Sequence, residues 1–290
     1  MWGSGINTSN KLIKKTFMTN NNTYISKNVI EKGASVSKNF LNELEIESIK
    51  QLLKNFKKEK KDSTRFFPID KTSLLIKLLK CDLSSFKQGL YFKKLALKLD
   101  LQKISTDILG EESKLVAIDA YYSKKSSQNV IDWHCDFAYS GNPNPKKILD
   151  HKNKSIKYFV YLTDTHYKNG SLAYIPYSHI IQRTYSQFLL EKKIDYKPFW
   201  KLKDFRNQII SDPLKSMIKN EVGSKVFENF INETNFIDEN NGDIKKYDYD
   251  LKSGDALIFD ELGFHRGSAP TLNDRLVIRF FYSRKNRKVS

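Results

Sequence analysis

The chain has 290 residues and a formal net charge of +17, with 39% hydrophobic and 13% aromatic residues. This length and apolar content allow one large domain, or two small ones, with a buried core. Two cysteines, Cys81 and Cys135, exclude a disulfide-stapled secreted fold and fit a reducing compartment. No apolar run reaches the ~18 residues of a membrane span, and the first residues form no signal-peptide pattern. We therefore expect a soluble, cytoplasmic protein without a membrane partner.

The positive charge is compatible with an acidic partner such as nucleic acid. However, acidic residues are interspersed with the lysines along the whole chain. A nucleic-acid surface requires basic residues clustered on one face, and a sequence alone does not show such clustering. Nucleic acid is therefore not the expected partner.

The first third of the chain is predicted to be helical after a polar start. Residues 1–37 are predicted to form a flexible N-terminal arm. Asn42 is a suitable helix N-cap, and Glu45 completes the capping-box spacing before apolar residues that recur at helical intervals up to Phe56. Further helices are predicted over residues 72–80 and 84–101.

Segments rich in β-forming residues follow from residue 114, separated by turn sequences such as Asn169-Gly170. Helices followed by many short strands favour a mainly β (α+β) fold, a sandwich or barrel backed by helices, over a doubly wound sheet. The predicted strands cover residues 115–122, 129–133, 155–163, 172–175, 256–259 and 275–282.

A charged segment over about residues 183–250 interrupts the strand series. A long insertion in a β core is commonly a binding loop or a lid. We expect a helical lid over a substrate site, because the segment combines many lysines with several aromatic residues: Tyr185, Phe188, Phe199, Trp200 and Phe205. Its predicted helices cover residues 186–191, 199–210 and 222–231.

Residues 133–136, Trp-His-Cys-Asp, carry a candidate metal-binding pair. Strand side chains alternate between the two faces, so His134 and Asp136 can point at one ion. His265 is the best candidate for a third ligand. Two histidines and one carboxylate with open positions form the facial triad of non-haem Fe(II) oxygenases.

These motifs, in this order, resemble the phytanoyl-CoA dioxygenase family of Fe(II)/2-oxoglutarate-dependent oxygenases. The resemblance covers residues 38–284 apart from the insertion, and Tyr177 stands where the family usually has glycine. It rests on Phe40-Leu41 with the amphipathic helix that follows, Trp-His-Cys-Asp at 133–136, Asn-Gly-Ser-Leu at 169–172, Pro-Tyr-Ser-His at 176–179, and an ending of Gly254-Asp255, Phe259, His265 and Arg275.

The resemblance implies a double-stranded β-helix (jelly-roll) core with N-terminal helices packed on it, in a single domain over residues 38–290. It implies Fe(II) held by His134, Asp136 and His265, with 2-oxoglutarate as co-substrate and O2 as oxidant. The remaining histidines are not expected to be ligands. His179 is expected to be structural, and His151 and His166 to lie exposed in polar loops.

The resemblance also implies an arginine for the distal carboxylate of 2-oxoglutarate, since a guanidinium is always charged and can contact both oxygens. Arg275 is preferred because the Leu-Val-Ile sequence after it matches the family's final strand. The spacing from His265 is one residue shorter than expected, so Arg279, on the same face four residues later, stays open as the alternative. Tyr122 is a further expected contact of 2-oxoglutarate.

The implied reaction is hydroxylation of a substrate, coupled to conversion of 2-oxoglutarate into succinate and CO2. Asp136 argues against halogenation, because the carrier-linked halogenases of this broad group replace that carboxylate by a small residue. Desaturation, epoxidation and ring closure stay open. The expected substrate is a small-molecule or carrier-linked compound of a biosynthetic pathway, and the basic insertion favours an anionic one. The sequence leaves the oligomeric state open.

Two other functions are kept as alternatives. A nucleic-acid alkyl-lesion demethylase of the related dioxygenase class would account for the charge of +17. A non-catalytic jelly-roll binding protein would account for the fold without turnover. The Trp-His-x-Asp and Ser-His motifs argue against the first function, and the complete His-Asp-His set argues against the second.

Overall fold

The computed structural model describes residues 22–56, 62–69, 83–126, 128, 131–136, 155–195, 197, 201–240 and 245–285. The described helices are α1 (residues 22–32), α2 (Glu43–Leu52), α3 (Leu83–Lys98), α4 (Leu101–Leu109), α5 (Ser178–Leu190), α6 (Leu202–Ile209), α7 (Leu214–Val222) and α8 (Ser224–Glu239), with a short 3-10 helix at Lys245–Tyr247. The described strands are β1 (Ala34–Ser37), β2 (Ser63–Phe67), β3 (Ser113–Ser123), β4 (Ile131–His134), β5 (Ser155–Tyr161), β6 (Leu172–Tyr174), β7 (Ala256–Asp260), β8 (His265–Gly267) and β9 (Arg275–Arg284).

These strands form two antiparallel sheets. The large sheet has the order β1-β7-β5-β9-β3-β2, and the small sheet has the order β4-β8-β6. Neighbouring strands in the large sheet are far apart in sequence, as in β3 beside β9, which is the arrangement of a jelly roll. The predicted mainly β fold with a jelly-roll core and packed helices is confirmed.

The six predicted strands are present with shifted ends, whereas β1, β2 and β8 were not predicted. β8 has three residues, too few for a period of two to be visible in the sequence. β2 is an edge strand in which Thr64 and Phe66 are exposed, and it lacks the apolar run of a central strand. β1 lies inside the polar segment that the composition predicts to be an arm.

The N-terminal arm was predicted to reach residue 37, and this is wrong for residues 22–37. α1 buries Ile25 and Val29 in the core of the helical layer. β1 pairs with β7, with Ala34 opposite Phe259. The polar composition hid these elements because each places few apolar residues in the core. Residues 1–21 lie outside the described part.

The predicted capping box is present at the start of α2. The side chain of Asn42 accepts a hydrogen bond from the Glu45 amide at 2.9 Å, and the Glu45 carboxylate accepts one from the Asn42 amide at 2.9 Å. The predicted helix 84–101 corresponds to α3. A left-handed residue, Asp100, then separates α3 from α4, which was not predicted. The predicted helix 72–80 lies outside the described residues.

Alternation along the strands of the large sheet gives its two faces different roles. One face packs against α1 to α4 and contains Ile118, Ala120, Tyr122, Ile156, Tyr158, Val160, Ile258, Ile278 and Phe280. The other face points into the jelly roll and carries apolar residues in the centre, including Phe159, Tyr161, Leu257, Phe259 and Val277. Charged side chains lie on this inner face beside the apolar cluster, at Asp119, Lys157, Arg275 and Arg279.

The described helices of the insertion form a layer on the outer face of the small sheet. Phe205 of α6 and Phe230 of α8 pack against Phe264, with ring centroids 5.1 and 6.2 Å apart. Trp133 and Cys135 belong to the same cluster. The expected lid is therefore wrong for these helices, which stabilise the back of the sheet. Tyr185, Phe188 and Phe205 lie in this core, whereas Phe199 and Trp200 lie outside the described residues.

Tyr177 immediately precedes α5 and has φ of 66°, in the left-handed region that favours glycine. Its amide donates a hydrogen bond to the Lys32 carbonyl at 3.0 Å, which joins α1 to this turn. The turn is therefore retained although tyrosine replaces the usual glycine. The left-handed backbone of Tyr177 costs about 1 kcal/mol of stability relative to glycine.

No helix in the described part of the chain is both long and apolar enough to cross a lipid bilayer.

Candidate metal centre

The small sheet brings the two predicted histidine ligands together. β4 and β8 are antiparallel, with His134 directly opposite His265. The centroids of the two imidazole rings are 4.4 Å apart. Their neighbours Trp133, Cys135 and Phe264 point to the outer helical layer, so both imidazoles point inward. Asp136, two residues after His134, places its carboxylate beside the two imidazoles. One potential ligand atom from each of the three residues lies within 4.8 Å of the others.

Backbone carbonyls fix the orientation of both imidazoles. Nδ1 of His134 lies 2.6 Å from the Asp132 carbonyl, and Nδ1 of His265 lies 2.9 Å from the Gly263 carbonyl. A carbonyl oxygen can only accept, so each Nδ1 carries the proton and each Nε2 presents its lone pair inward. Burial lowers the pKa of His265, although Asp136 opposes this shift, which favours the neutral imidazole that a metal requires.

Asp136 completes a donor set that fits a divalent transition metal. Its Oδ1 lies 3.5 Å from Nε2 of His134, and its Oδ2 lies 3.3 Å from Nε2 of His265. Ligands at right angles with bonds of about 2.1 Å stand about 3 Å apart, so a small contraction would place all three around one ion. Burial favours the protonated acid, but Lys157 and the two histidines outweigh it and hold the pKa of Asp136 well below its usual value.

Lys157 and Glu261 are two functional-site residues that sequence reasoning missed. The Lys157 ammonium contacts Oδ2 of Asp136 and lies 3.1 Å from Oε2 of Glu261. These carboxylates, Asp136 first, raise the pKa of Lys157 against the effect of burial, so the ammonium stays charged. The sequence held one signal: Lys157 is the charged residue within an otherwise apolar or neutral strand, β5.

Arg275 and Arg279, the two candidates for binding 2-oxoglutarate, have different surroundings. Arg279 forms a bidentate ion pair with Asp119, at 2.7 and 2.8 Å. Arg275 is 3% exposed, and its guanidinium donates to the Gly170 carbonyl at 2.7 Å and to Oγ of Ser123 at 3.1 Å. Among the described residues, no carboxylate forms an ion pair with Arg275, and its Nε has no hydrogen-bond acceptor. Burial accordingly lowers the pKa of Arg275.

The predicted contact of 2-oxoglutarate with Tyr122 is wrong. Tyr122 lies opposite Leu276, in the core beneath α1 to α4, and its hydroxyl donates to Asp274. The neighbouring Tyr121 lies on the inner face, and both guanidinium groups lie over its ring. The distance from Cζ to the ring centroid is 5.6 Å for Arg275 and 4.7 Å for Arg279. A register error of one residue moves a side chain to the other face of the sheet, and the sequence did not specify the register here.

The two other histidines in the described part of the chain, His166 and His179, lie outside the triad. Nε2 of His179 lies 3.1 Å from the Ile30 carbonyl, so this residue ties α5 to the end of α1, in agreement with its expected structural role. Nδ1 of His166, which is half-buried, accepts a hydrogen bond from the Lys168 amide at 3.2 Å within its own turn. His151 lies outside the described residues.

Replacing Gly263 by alanine is expected to destabilise the protein strongly. The added methyl group would overlap the Tyr174 hydroxyl and approach Oγ of Ser178 to 2.9 Å, in a fully packed region beside His265. Overpacking of this kind typically costs about 1–3 kcal/mol. Urea denaturation should show this loss for Gly263→Ala, and Tyr174→Phe in the same chain should recover part of it.

Gly110→Ala provides the matched control for this substitution. Gly110 has φ of 72° and open space around the position of a Cβ atom. Its substitution should cost about 1 kcal/mol from backbone strain alone. A Gly263→Ala protein as stable as Gly110→Ala would contradict the packing described here.

Comparisons with known proteins agree with this architecture. HygX from Streptomyces hygroscopicus with iron bound is 15% identical, with 89% of this chain and 84% of that chain covered and a TM-score of 0.52. HygX with nickel, 2-oxoglutarate and hygromycin B bound is 16% identical, with 89% and 85% covered and a TM-score of 0.50. The α-ketoglutarate-dependent carbocyclase SnoK from nogalamycin biosynthesis is 11% identical, with 90% and 83% covered and a TM-score of 0.52.

At these identities the solved structures show a shared fold. No curated protein sequence matches the chain. The profile of the phytanoyl-CoA dioxygenase family matches residues 30–275, which include the triad, the Asn-Gly turn and Arg275. This match spans most of the 290 residues. The chain therefore belongs to the phytanoyl-CoA dioxygenase family of Fe(II)- and 2-oxoglutarate-dependent dioxygenases.

Proposed function

We propose that His134, Asp136 and His265 bind Fe(II), that Arg275 binds the distal carboxylate of 2-oxoglutarate, and that the protein hydroxylates a small-molecule substrate. Fe(II) in such a site, with 2-oxoglutarate and O2, supplies the oxidising power for substrate C–H bonds and releases succinate and CO2. The two histidines and the carboxylate leave three positions of an octahedral ion open. That number suffices for two atoms of 2-oxoglutarate and one of O2.

The observation that carries this proposal is the buried positive charge of Arg275. An uncompensated charge in a protein interior is strongly unfavourable, so buried charges are almost always paired. Arg275 has two neutral acceptors and no carboxylate among the described residues, while Arg279 beside it is fully paired with Asp119. A dicarboxylic co-substrate would supply the missing anion and the acceptor for Nε. We therefore assign the role to Arg275 rather than Arg279.

Arg275 lies on the inner face of the large sheet, whereas the metal ligands belong to the small sheet and to the residues that follow β4. Arg275, Arg279 and Lys157 alternate along the inner face of β9 and β5, and Lys157 contacts Asp136. Tyr161, also on this face, is fully buried, and burial raises the pKa of its hydroxyl to about 12 although Arg275 opposes the shift. The hydroxyl therefore stays protonated and can donate to an anion beside Arg275.

The substrate is proposed to be a small molecule, and HygX, which has this fold, has been crystallised with the small molecule hygromycin B. Asp136 keeps the third metal ligand, which favours hydroxylation over halogenation. The inner-face cations Lys157 and Arg279 are paired with Glu261 and Asp119. Arg275, which has no carboxylate partner among the described residues, is assigned to 2-oxoglutarate, so the anionic or carrier-linked character of the substrate stays a prediction. The cytoplasmic location also stays a prediction.

Succinate release from purified protein tests the proposal directly. With Fe(II), ascorbate and O2, we expect conversion of 2-oxoglutarate to succinate even without the substrate, at a slow uncoupled rate. A metabolite library should then contain a compound that raises this rate and gains one oxygen atom by mass spectrometry. Absence of succinate in the presence of Fe(II), together with absence of 2-oxoglutarate binding, would contradict the proposal.

A further inference from the structure

Lys157 occupies a position beside the metal centre that the metal ligands themselves do not explain. It is on β5, opposite Phe259 of β7 and Phe281 of β9, and its side chain is 14% exposed. Its ammonium contacts Oδ2 of Asp136, lies 3.1 Å from Oε2 of Glu261, and lies 5.4 Å from the centre of the Phe281 ring. Three groups from different strands or loops thus hold one cation against the candidate iron ligand.

Both oxygens of Asp136 face the histidines, so the carboxylate has two ways to bind a metal. Oδ1 lies 3.5 Å from Nε2 of His134, and Oδ2 lies 3.3 Å from Nε2 of His265. If both oxygens chelated the ion, the protein would fill four of six positions. Two would remain, which is too few for 2-oxoglutarate and O2 together. The reaction therefore needs one oxygen of Asp136 to be withheld from the metal.

We propose that Lys157 is a positioning residue that reserves Oδ2 of Asp136, so that Asp136 binds the metal through Oδ1 alone. Lys157 donates a hydrogen bond to Oδ2 of this carboxylate, whereas Nε2 of each triad histidine presents a lone pair and has no proton to donate. Glu261 forms the second ion pair of Lys157 and completes this arrangement. This inference rests on the proposed Fe(II) site and adds how its open positions are maintained.

Glu261 also pairs with Lys157, and this limits the competition between Lys157 and the metal for the Asp136 carboxylate. The residue is 8% exposed, and its carbonyl accepts a hydrogen bond from the Asp136 amide at 3.4 Å, which fixes the two acidic residues relative to each other. When the metal draws charge from Asp136, Glu261 remains as the counter-ion of the buried ammonium. Removal of Lys157 and removal of the Glu261 charge should therefore change metal affinity in opposite directions.

Mn(II) titration, followed by the electron paramagnetic resonance signal of free Mn(II), measures metal affinity without turnover. Calorimetry on the Mn(II)-loaded protein then measures 2-oxoglutarate affinity. For Lys157→Met we expect Mn(II) to bind about tenfold more tightly and 2-oxoglutarate about tenfold more weakly, because a repelling charge is lost and Oδ2 becomes a ligand. For Glu261→Gln we expect Mn(II) to bind about tenfold more weakly.

Two further variants separate positioning from general stability. Lys157→Arg keeps a cation at the site and should restore both affinities to within about threefold of the wild type. Lys252→Met removes an exposed lysine that pairs with Asp164 at 3.0 Å, and should change neither affinity. Thermal unfolding of each variant confirms that the compared proteins are folded.

The outcomes discriminate between the proposed metal site and the role of Lys157. Wild-type protein that binds neither Mn(II) nor 2-oxoglutarate would overturn the proposed metal site itself. Wild-type protein that binds both, together with a folded Lys157→Met that binds both unchanged or loses both equally, would overturn the role of Lys157 alone. Tighter metal binding with weaker 2-oxoglutarate binding in the same variant is the result that supports the proposal.

Discussion

Substituting Asp136 by alanine should abolish turnover, with succinate release falling by more than about 100-fold, because a direct ligand contributes more than the 10–100-fold typical of its outer partners. Asp136 supplies the one carboxylate of the triad, and its oxygens lie within 3.5 Å of both imidazole nitrogens. The substitution should preserve the fold, since Lys157 keeps Glu261 as its ion-pair partner. Succinate release at saturating Fe(II), and Mn(II) affinity, are the measurements.

Histidine substitutions give the same test with a matched control. His134→Ala and His265→Ala should lose metal binding to the same extent as Asp136→Ala. His166→Ala removes a histidine whose contacts lie within its own turn, and it should keep wild-type turnover. Turnover retained in any of the three triad variants would show that the metal lies elsewhere.

Substituting Arg275 by methionine should weaken 2-oxoglutarate binding by about 100-fold, equivalent to about 2.7 kcal/mol, in the range of a lost charge-assisted contact. The same substitution should raise the stability of the protein without 2-oxoglutarate, because it removes a buried cation that has no carboxylate partner among the described residues. Saturating 2-oxoglutarate should raise the melting temperature of the wild type and have little effect on the variant. Calorimetry and thermal unfolding measure the two effects.

Arg279→Met is the control, and its expected behaviour is the reverse. It leaves Asp119 buried without its bidentate partner, so it should lower stability by about 3 kcal/mol. Its folded fraction should bind 2-oxoglutarate within about threefold of the wild type. If Arg279→Met lost 2-oxoglutarate binding while Arg275→Met kept it, the two assignments would have to be exchanged.

The sequence predicted those parts of the fold that depend on local pattern. The capping box at Asn42 and Glu45 and the helical spacing that follows have the same form in the structure. The central strands were recognisable because a buried strand is a continuous run of β-forming residues. The short or marginal strands β1, β2 and β8 were missed, because three to five residues with few apolar positions carry no distinctive period.

The lid illustrates a different kind of error. The sequence shows that the insertion is rich in aromatic residues, but it does not specify against which surface they pack. In the structure Tyr185, Phe188 and Phe205 belong to one cluster with Trp133, Cys135 and Phe264, whose strand neighbours on the inward face are the proposed metal ligands. The amphipathic faces alone are equally compatible with packing over the mouth of the jelly roll or behind it.

The sequence alone was sufficient to select His134, Asp136 and His265 as a set, because a His-x-Asp pair on a strand and a distant histidine occur together in an ordered series of motifs. The preference for Arg275 over Arg279 in the proposed role rests on the tertiary structure. Both lie on the same face of β9, and only the neighbouring strand shows that Asp119 neutralises one of them. The same holds for Lys157 and Glu261, which are about a hundred residues apart and meet because β5 and β7 are adjacent. Charge compensation depends on distances across strands, and the sequence does not contain those distances.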